Sequence, residues 1–214
     1  SDALGGVVLV WTKARPPSAR SLSGAAEARA DSALEGWSGA VELGSSFERT
    51  AVLGIAGYHR WGDLHAASGE NQETGYDGDA LFGSFTRALG PGRDLRLSLA
   101  QTRDYDVPRT DRLTTGFGQS APANAEFDFA LQDRRRALVA YDDRTGALGL
   151  DEVTARLSYR TYEEVRHIRA TGSGTRRVER DVTQTLGLGL DARHELGARQ
   201  LLTVGLDLDH DEVD

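Results

Sequence analysis

Two groups of side chains in this 214-residue sequence could contact a ligand. The first is a pair of histidines, His59 and His65, with Trp61 between them, in a segment that we expect to leave a strand and enter a loop. These rings could contact haem or an iron chelate. Exposed histidines beside an interfacial aromatic ring would give the same pattern without any ligand. We favour the second interpretation, because the five histidines of the chain show no close metal-ligand spacing.

The second group consists of the segment Val-Pro-Arg-Thr-Asp-Arg, residues 107–112, together with Tyr105, which lies two residues before it. Arg109 and Arg112 could bind an anionic substrate such as a ferric chelate, since guanidinium groups match carboxylates in geometry and charge. Alternatively, these two arginines pair with Asp106 and Asp111 and brace the loop. We favour bracing, and we keep Tyr105 and both arginines as candidate contacts at the mouth of a binding site.

The sequence contains no recognisable catalytic or metal-binding constellation. It has no cysteine, no Gly-x-Ser-x-Gly motif and no close spacing among its five histidines. The acidic residues near the C-terminus could hold calcium, but they lack the spacing of a calcium-binding loop. These residues are Asp207, Asp209, Asp211, Glu212 and Asp214. We therefore predict no enzyme, no metal site and no cofactor.

Composition narrows the remaining classes of protein. A net charge of -8 and a pI near 5.2 argue against nucleic-acid binding. Mean hydropathy is -0.44, and no apolar run has the roughly 18 residues of a membrane helix. The 25 glycines and 5 prolines suit a sheet protein with tight turns.

Apolar and polar residues alternate with a period of two along much of the chain. Leu95, Leu97 and Leu99 alternate with Arg96 and Ser98. Two later segments show the same leucine alternation, at residues 186–190 and 202–208. The pattern predicts antiparallel strands with one apolar and one polar face. It suits a soluble β-sandwich with one wet face, and equally a transmembrane barrel with a wet lumen.

We predict about nine strands, with connections that alternate between short and long. Short connections fall near residues 45–48, 90–94, 142–151 and 195–199, and long ones at 62–78 and 105–133; the first connection, near 33–35, breaks the rule. Short turns at one rim and long loops at the other are typical of outer-membrane barrels. The predicted strands lie near residues 20–31, 36–45, 49–61, 79–89, 94–104, 134–142, 152–168, 177–193 and 200–210.

The first 13 residues, SDALGGVVLVWTK, resemble the end of the plug domain of TonB-dependent outer-membrane receptors. Leu4, Leu9 and Trp11 depart from the usual family residues. Asp104–Leu113 and Leu157–Arg166 also resemble barrel segments of that family, and Gln132 and Arg134 begin the strand that returns from the first of them. The residues that match the plug motif are Ser1, Asp2, Ala3, Gly5, Gly6, Val7, Val8, Val10, Thr12 and Lys13.

The resemblance implies an all-β fold: the last plug strand, followed by part of an antiparallel up-and-down transmembrane β-barrel wall. Residues 1–18 would hold the plug end and a hinge at Lys13–Ser18, and residues 19–214 the first barrel strands. The whole receptor would be a barrel of about 22 strands, so we expect this chain to be an internal fragment.

The resemblance also implies a function. It suggests energy-coupled uptake of a scarce substrate, most often an iron-siderophore or haem, across the Gram-negative outer membrane. The expected partners are the TonB-ExbB-ExbD complex, acting through a TonB box, and outer-membrane lipid. The alternative is a soluble β-sandwich that binds carbohydrate, in which the leucine faces would pack against each other.

Overall fold

A computed structural model of the chain describes residues 20–32, 35–66, 69–71, 74–146, 149–197 and 200–214. The predicted plug motif, with Asp2, Gly5, Gly6 and Thr12, and the hinge at Lys13–Ser18 lie outside the described residues. The division of the chain at residue 18 therefore stays a prediction.

The described residues form eleven strands and one helical turn, α1 (Thr110–Leu113). Nine strands build one antiparallel sheet in chain order, interrupted only by a separate pair formed by β4 and β5. The strands are β1 (Ser21–Asp31), β2 (Gly36–Phe47), β3 (Thr50–Trp61), β4 (Leu64–Ala66), β5 (Gly69–Asn71), β6 (Tyr76–Gly90), β7 (Arg93–Pro108), β8 (Asn124–Asp143), β9 (Glu152–Ala170), β10 (Arg177–Glu195) and β11 (Leu201–Val213).

This up-and-down sheet confirms the nine predicted strands, with one large error in length. β8 was expected at residues 134–142 but begins at Asn124, so the connection after β7 spans only residues 109–123 rather than 105–133. The pairing of β8 with β9 shifts register between Asn124 and Glu126 and again between Phe129 and Leu131. Each shift reverses the phase of the alternation, which hides the strand from a period-two search.

The two longest connections, residues 62–75 and 109–123, lie at the same end of the sheet, which we call the long-loop rim. The opposite end, the short-turn rim, has two-residue turns at 48–49 and 91–92. The alternation is incomplete, because the connection 144–151 at the short-turn rim is longer than 171–176 at the long-loop rim.

Register places the apolar side chains on one face of all nine strands, which we call the apolar face. Leu97 is directly opposite Val139, which is opposite Leu157, which is opposite Leu188. Nearer the long-loop rim, Trp37 and Tyr58 lie against each other on the same face, with ring centroids 5.1 Å apart and planes tilted by 44°. The full row of opposed residues is Leu22, Ser45, Val52, Phe85, Leu97, Val139, Leu157, Leu188 and Leu208.

This apolar face is exposed, and none of the described residues forms a second layer on it. Leu157 and Leu188 each retain 50% of their accessible surface, and the buried apolar residues among those described are only Ala51, Leu53 and Ala140. Among the described residues, each strand of the main sheet contacts only its neighbours in the sheet, apart from β8, which also contacts α1. The sandwich alternative is therefore wrong for the described residues, because a sandwich needs two packed sheets.

The other face, which we call the polar face, carries charges and hydroxyls. Arg96, Ser98, Arg136, Arg156 and Ser158 belong to it by register. No helix among the described residues is long and apolar enough to cross a membrane.

Candidate functional site

His59 lies on the polar face near the long-loop rim, within a small group of aromatic rings. Its ring centroid is 6.1 Å from that of Trp61 and 5.7 Å from that of Tyr76, which begins the neighbouring strand β6. Gly78 is directly opposite His59, and a Cβ atom at Gly78 would lie 2.6 Å from His59 Cε1. The glycine therefore leaves the space that the imidazole occupies.

His59 connects to charged groups on β7 and β8, across the intervening strand β6. Its Nε2 atom is 3.5 Å from Asp104 Oδ1 on β7, and Asp104 Oδ2 accepts a 3.3 Å hydrogen bond from Arg134 Nη1 on β8. About a quarter of the His59 and Asp104 side chains is exposed, at 28% and 25%. Gly78 permits this arrangement too, since its Cβ would lie 2.7 Å from Asp104 Oδ1.

The network continues across β8 to β9. The Arg134 guanidinium carbon lies 5.1 Å from the centroid of the Tyr162 ring. The Tyr162 hydroxyl donates a 2.5 Å hydrogen bond to Glu164, and the Gln132 amide donates to both Tyr162 and Glu164. We call the set His59, Asp104, Gln132, Arg134, Tyr162 and Glu164 the rim network. It presents acidic, basic and aromatic groups together on one surface.

Arg109 lies in the loop that follows β7 and is held on several sides. Its guanidinium carbon lies 5.3 Å and 5.8 Å from the centroids of the Phe127 and Phe129 rings, and it donates two hydrogen bonds of 2.8 Å and 2.9 Å to Asp111. Arg112 lies 3.7 Å from the same carboxylate. The hydrogen bond from Arg109 lowers the pKa of Asp111, and the reciprocal bond raises the pKa of Arg109.

The bracing pairs expected between arginines and aspartates in this loop are therefore present for Arg109, Asp111 and Arg112. Asp106 instead takes an unusual backbone conformation, with a φ of 53°. Contact of either arginine with a substrate stays a prediction.

The structure brings together only part of the predicted mouth site. His59 and Trp61 share a cluster, whereas His65 lies in the separate strand β4, opposite Glu70. Tyr105 lies on the apolar face, where its hydroxyl donates to Asp79 at 3.2 Å. The sheet thus separates Tyr105 from His59.

Sequence reasoning missed a charged cluster on the apolar-face side of β8 and β9, beyond the leucines and near the long-loop rim. One potential metal-ligand atom from each of Glu126, Asp128 and His167 lies within 4.8 Å of the other two, so this set could hold a metal ion. Arg176 and Arg169 already form ion pairs with Glu126 at 2.7 Å and 3.2 Å. The arrangement therefore acts as an ion-pair network that ties the 171–176 loop to β8.

Only the register between strands could have revealed that cluster. Glu126 and Asp128 alternate in sequence, but His167 lies 39 residues beyond Asp128. The two bulges of β8 make that register unpredictable from periodicity.

Comparisons with known proteins are informative at the level of structure. No family model and no curated protein sequence matches the chain. A solved structure named "Copper transporter OprC" is similar with a TM-score of 0.73 at 10% sequence identity. The match covers 94% of this chain, which spans 30% of the length of that structure. At this identity the likeness shows the fold alone: the described sheet is part of an antiparallel, up-and-down transmembrane β-barrel wall.

Proposed function

We propose that this chain is part of an outer-membrane transporter of the TonB-dependent receptor type, in which the apolar face contacts lipid and the polar face lines the lumen. One observation carries the proposal: in the described single-layer sheet, one row of directly opposed residues is apolar on every strand except β2, which contributes Ser45, and the other face is charged. A continuous outward apolar band and a polar interior are the requirements of a membrane barrel.

Two further features support the membrane orientation. Trp37 and Tyr58 lie at one end of the apolar rows, where barrels carry an aromatic girdle. The longest connections share one rim, which in such barrels faces the outside of the cell. On this orientation the rim network faces the lumen near the extracellular mouth.

We propose that the transported substrate is a scarce nutrient, and we keep an iron-siderophore or haem as the first candidate. The similar structure is named for copper transport, which supports a metal-containing substrate and a transport role over an enzymatic one. His59 and Trp61 offer an imidazole and an aromatic surface for such a ligand, with Asp104 and Arg134 beside them. The plug-like segment at residues 1–18 supports coupling to the TonB-ExbB-ExbD complex.

The experiment is a transport assay in a Gram-negative host that lacks its own receptors. The full-length protein is expressed with and without TonB, and uptake of a labelled ferric siderophore, haem and copper is measured separately. We expect TonB-dependent uptake of at least one of the three. Uptake that is unchanged by loss of TonB, or a protein found outside the outer-membrane fraction, would refute the proposal.

A variant tests the role of the rim network in the same assay. His59→Ala removes the imidazole at the lumenal surface and is expected to weaken substrate affinity while leaving the amount of folded protein unchanged. Ser98→Ala, on the same face but outside the rim network, serves as the matched control. Equal uptake kinetics in the two variants would exclude His59 as a substrate contact.

A further inference from the structure

Two arginines on the polar face are directly opposed across neighbouring strands. Arg136 on β8 is the register partner of Arg160 on β9. Side chains at such positions start about 5 Å apart at Cβ, and like charges placed there destabilise a sheet. Arg134 lies two residues along β8 on the same face, so three guanidinium groups share one small region of the sheet.

Nearby carboxylates compensate only two of these three charges. Arg134 donates a 3.3 Å hydrogen bond to Asp104, and Arg160 donates one of 3.0 Å to Asp209 on β11. Within the described part of the chain, Arg136 forms no hydrogen bond, ion pair or ring contact. A like-charge pair in which one member, Arg136, has no compensating carboxylate breaks a local rule of sheet stability, and natural proteins break such rules most often at functional sites.

Hydroxyl groups surround the three arginines. The groove that they line has a volume of about 630 Å³ and also includes Thr102, Tyr162, Thr183 and Thr185. Tyr162 donates to Glu164, and Thr185 donates to Asp211 at 2.5 Å. Guanidinium and hydroxyl groups together are the donors that bind oxyanions in proteins.

We propose that this groove is a binding site for a small multivalent oxyanion from solution, one that carries phosphate or carboxylate groups. The ligand bridges Arg136 and Arg160, which relieves their mutual repulsion, and the hydroxyls of Thr102 and Thr183 donate to its remaining oxygens. The inference rests on the proposed function only in taking the polar face as the wall of a water-filled lumen. It does not require that the bound anion be transported.

The test uses the full-length protein in detergent and inorganic phosphate as the probe, titrated by calorimetry at constant ionic strength set with chloride. We expect saturable binding that Arg136→Gln weakens about tenfold or more, because charge-assisted hydrogen bonds to the anion are lost. Arg136→Lys keeps the charge but not the planar fork, so it should bind with intermediate affinity. Arg29→Gln, on the same face of β1 beside Glu27, should bind like the wild type.

Two results would overturn the proposal. Equal phosphate affinity in the wild type and Arg136→Gln would place any bound anion elsewhere. Absence of phosphate binding to the wild type would also overturn it, and a lower melting temperature for Arg136→Gln would then show that a carboxylate of the protein itself occupies the groove. Because the assay needs no TonB and no uptake, its result is independent of the transport experiment.

Discussion

Gly78 is the position at which a single methyl group should damage the rim network most selectively. It lies on β6 directly between His59 on β3 and Asp104 on β7. A Cβ atom there would lie 2.5 Å from the backbone oxygen of Arg103, 2.6 Å from His59 Cε1 and 2.7 Å from Asp104 Oδ1. A backbone oxygen in a paired strand cannot move away cheaply, so Gly78→Ala must distort the sheet or displace both side chains.

The expected cost follows from these contacts and from a matched control on the same strand. Overpacking by one methyl group costs about 1–3 kcal/mol of folding free energy, and the rigid backbone contact favours the upper half of that range. A Cβ atom added at Gly83, on the apolar face of β6, would meet no neighbouring atom within 4 Å. Gly83→Ala should therefore stabilise the protein by about 0.4–1 kcal/mol, since alanine restricts the unfolded chain.

The assay is urea-induced unfolding of the full-length protein in detergent, followed by tryptophan fluorescence and by the heat-dependent gel mobility of folded barrels. We expect Gly78→Ala to lower the unfolding midpoint and Gly83→Ala to leave it equal or higher. Equal midpoints for Gly78→Ala and the wild type would refute the packing of His59 and Asp104 across the glycine.

Three further predictions concern the apolar face and the loop after β7. Leu157→Arg should destabilise the membrane-inserted protein by about 2–4 kcal/mol, whereas Ser158→Arg on the polar face should cost far less. Unfolding of each variant in lipid vesicles measures both losses of stability. Equal losses would contradict the assignment of the two faces. Because the pKa of Asp111 is lowered, its pairing with Arg109 stabilises the loop fully at pH values above the ordinary carboxyl pKa, and this stabilisation is lost as the pH falls through the lowered pKa. Protease cleavage of the loop should therefore accelerate only in that acidic range. An equal cleavage rate at all pH values would count against the pairing. The Asp133 side chain is only 2% exposed and accepts hydrogen bonds from Gln101 and Arg135. Asp133→Asn should therefore lower the free energy of unfolding in urea by about 1–3 kcal/mol. An unchanged free energy of unfolding would exclude this network.

Period-two alternation predicted the strands because most of the sheet keeps an unbroken register. Leu97, Leu157 and Leu188 alternate with polar residues in sequence, and each therefore falls on the same face of its strand. The leucines alone could not decide between a core and a lipid-facing surface, since both bury the same side chains. Within the described part of the chain, the single-layer contacts of the sheet show that these leucines do not form a packed core.

Features that depend on pairing between distant segments could not be predicted. The opposition of Arg136 and Arg160 follows from the β8–β9 register, which no local pattern specifies. The separation of Tyr105 from His59 has a similar origin. The two residues lie on different strands, and the alternation does not show which face of each strand lines the lumen. His59 and Trp61 could be grouped in advance, since residues two apart on a strand share a face.

The assignment of lipid and lumen faces is tested most directly by site-directed spin labelling of the full-length protein in bilayers. The 214 residues contain no cysteine, so single cysteines at Leu97 and Leu157, and at their neighbours Ser98 and Ser158, can carry the label. We predict that the labels at the two leucine positions collide with oxygen dissolved in lipid. The labels at the two serine positions should instead collide with a water-soluble relaxation reagent. Leucine-position labels that are immobile and protected from both reagents would show a protein core, and would contradict the barrel.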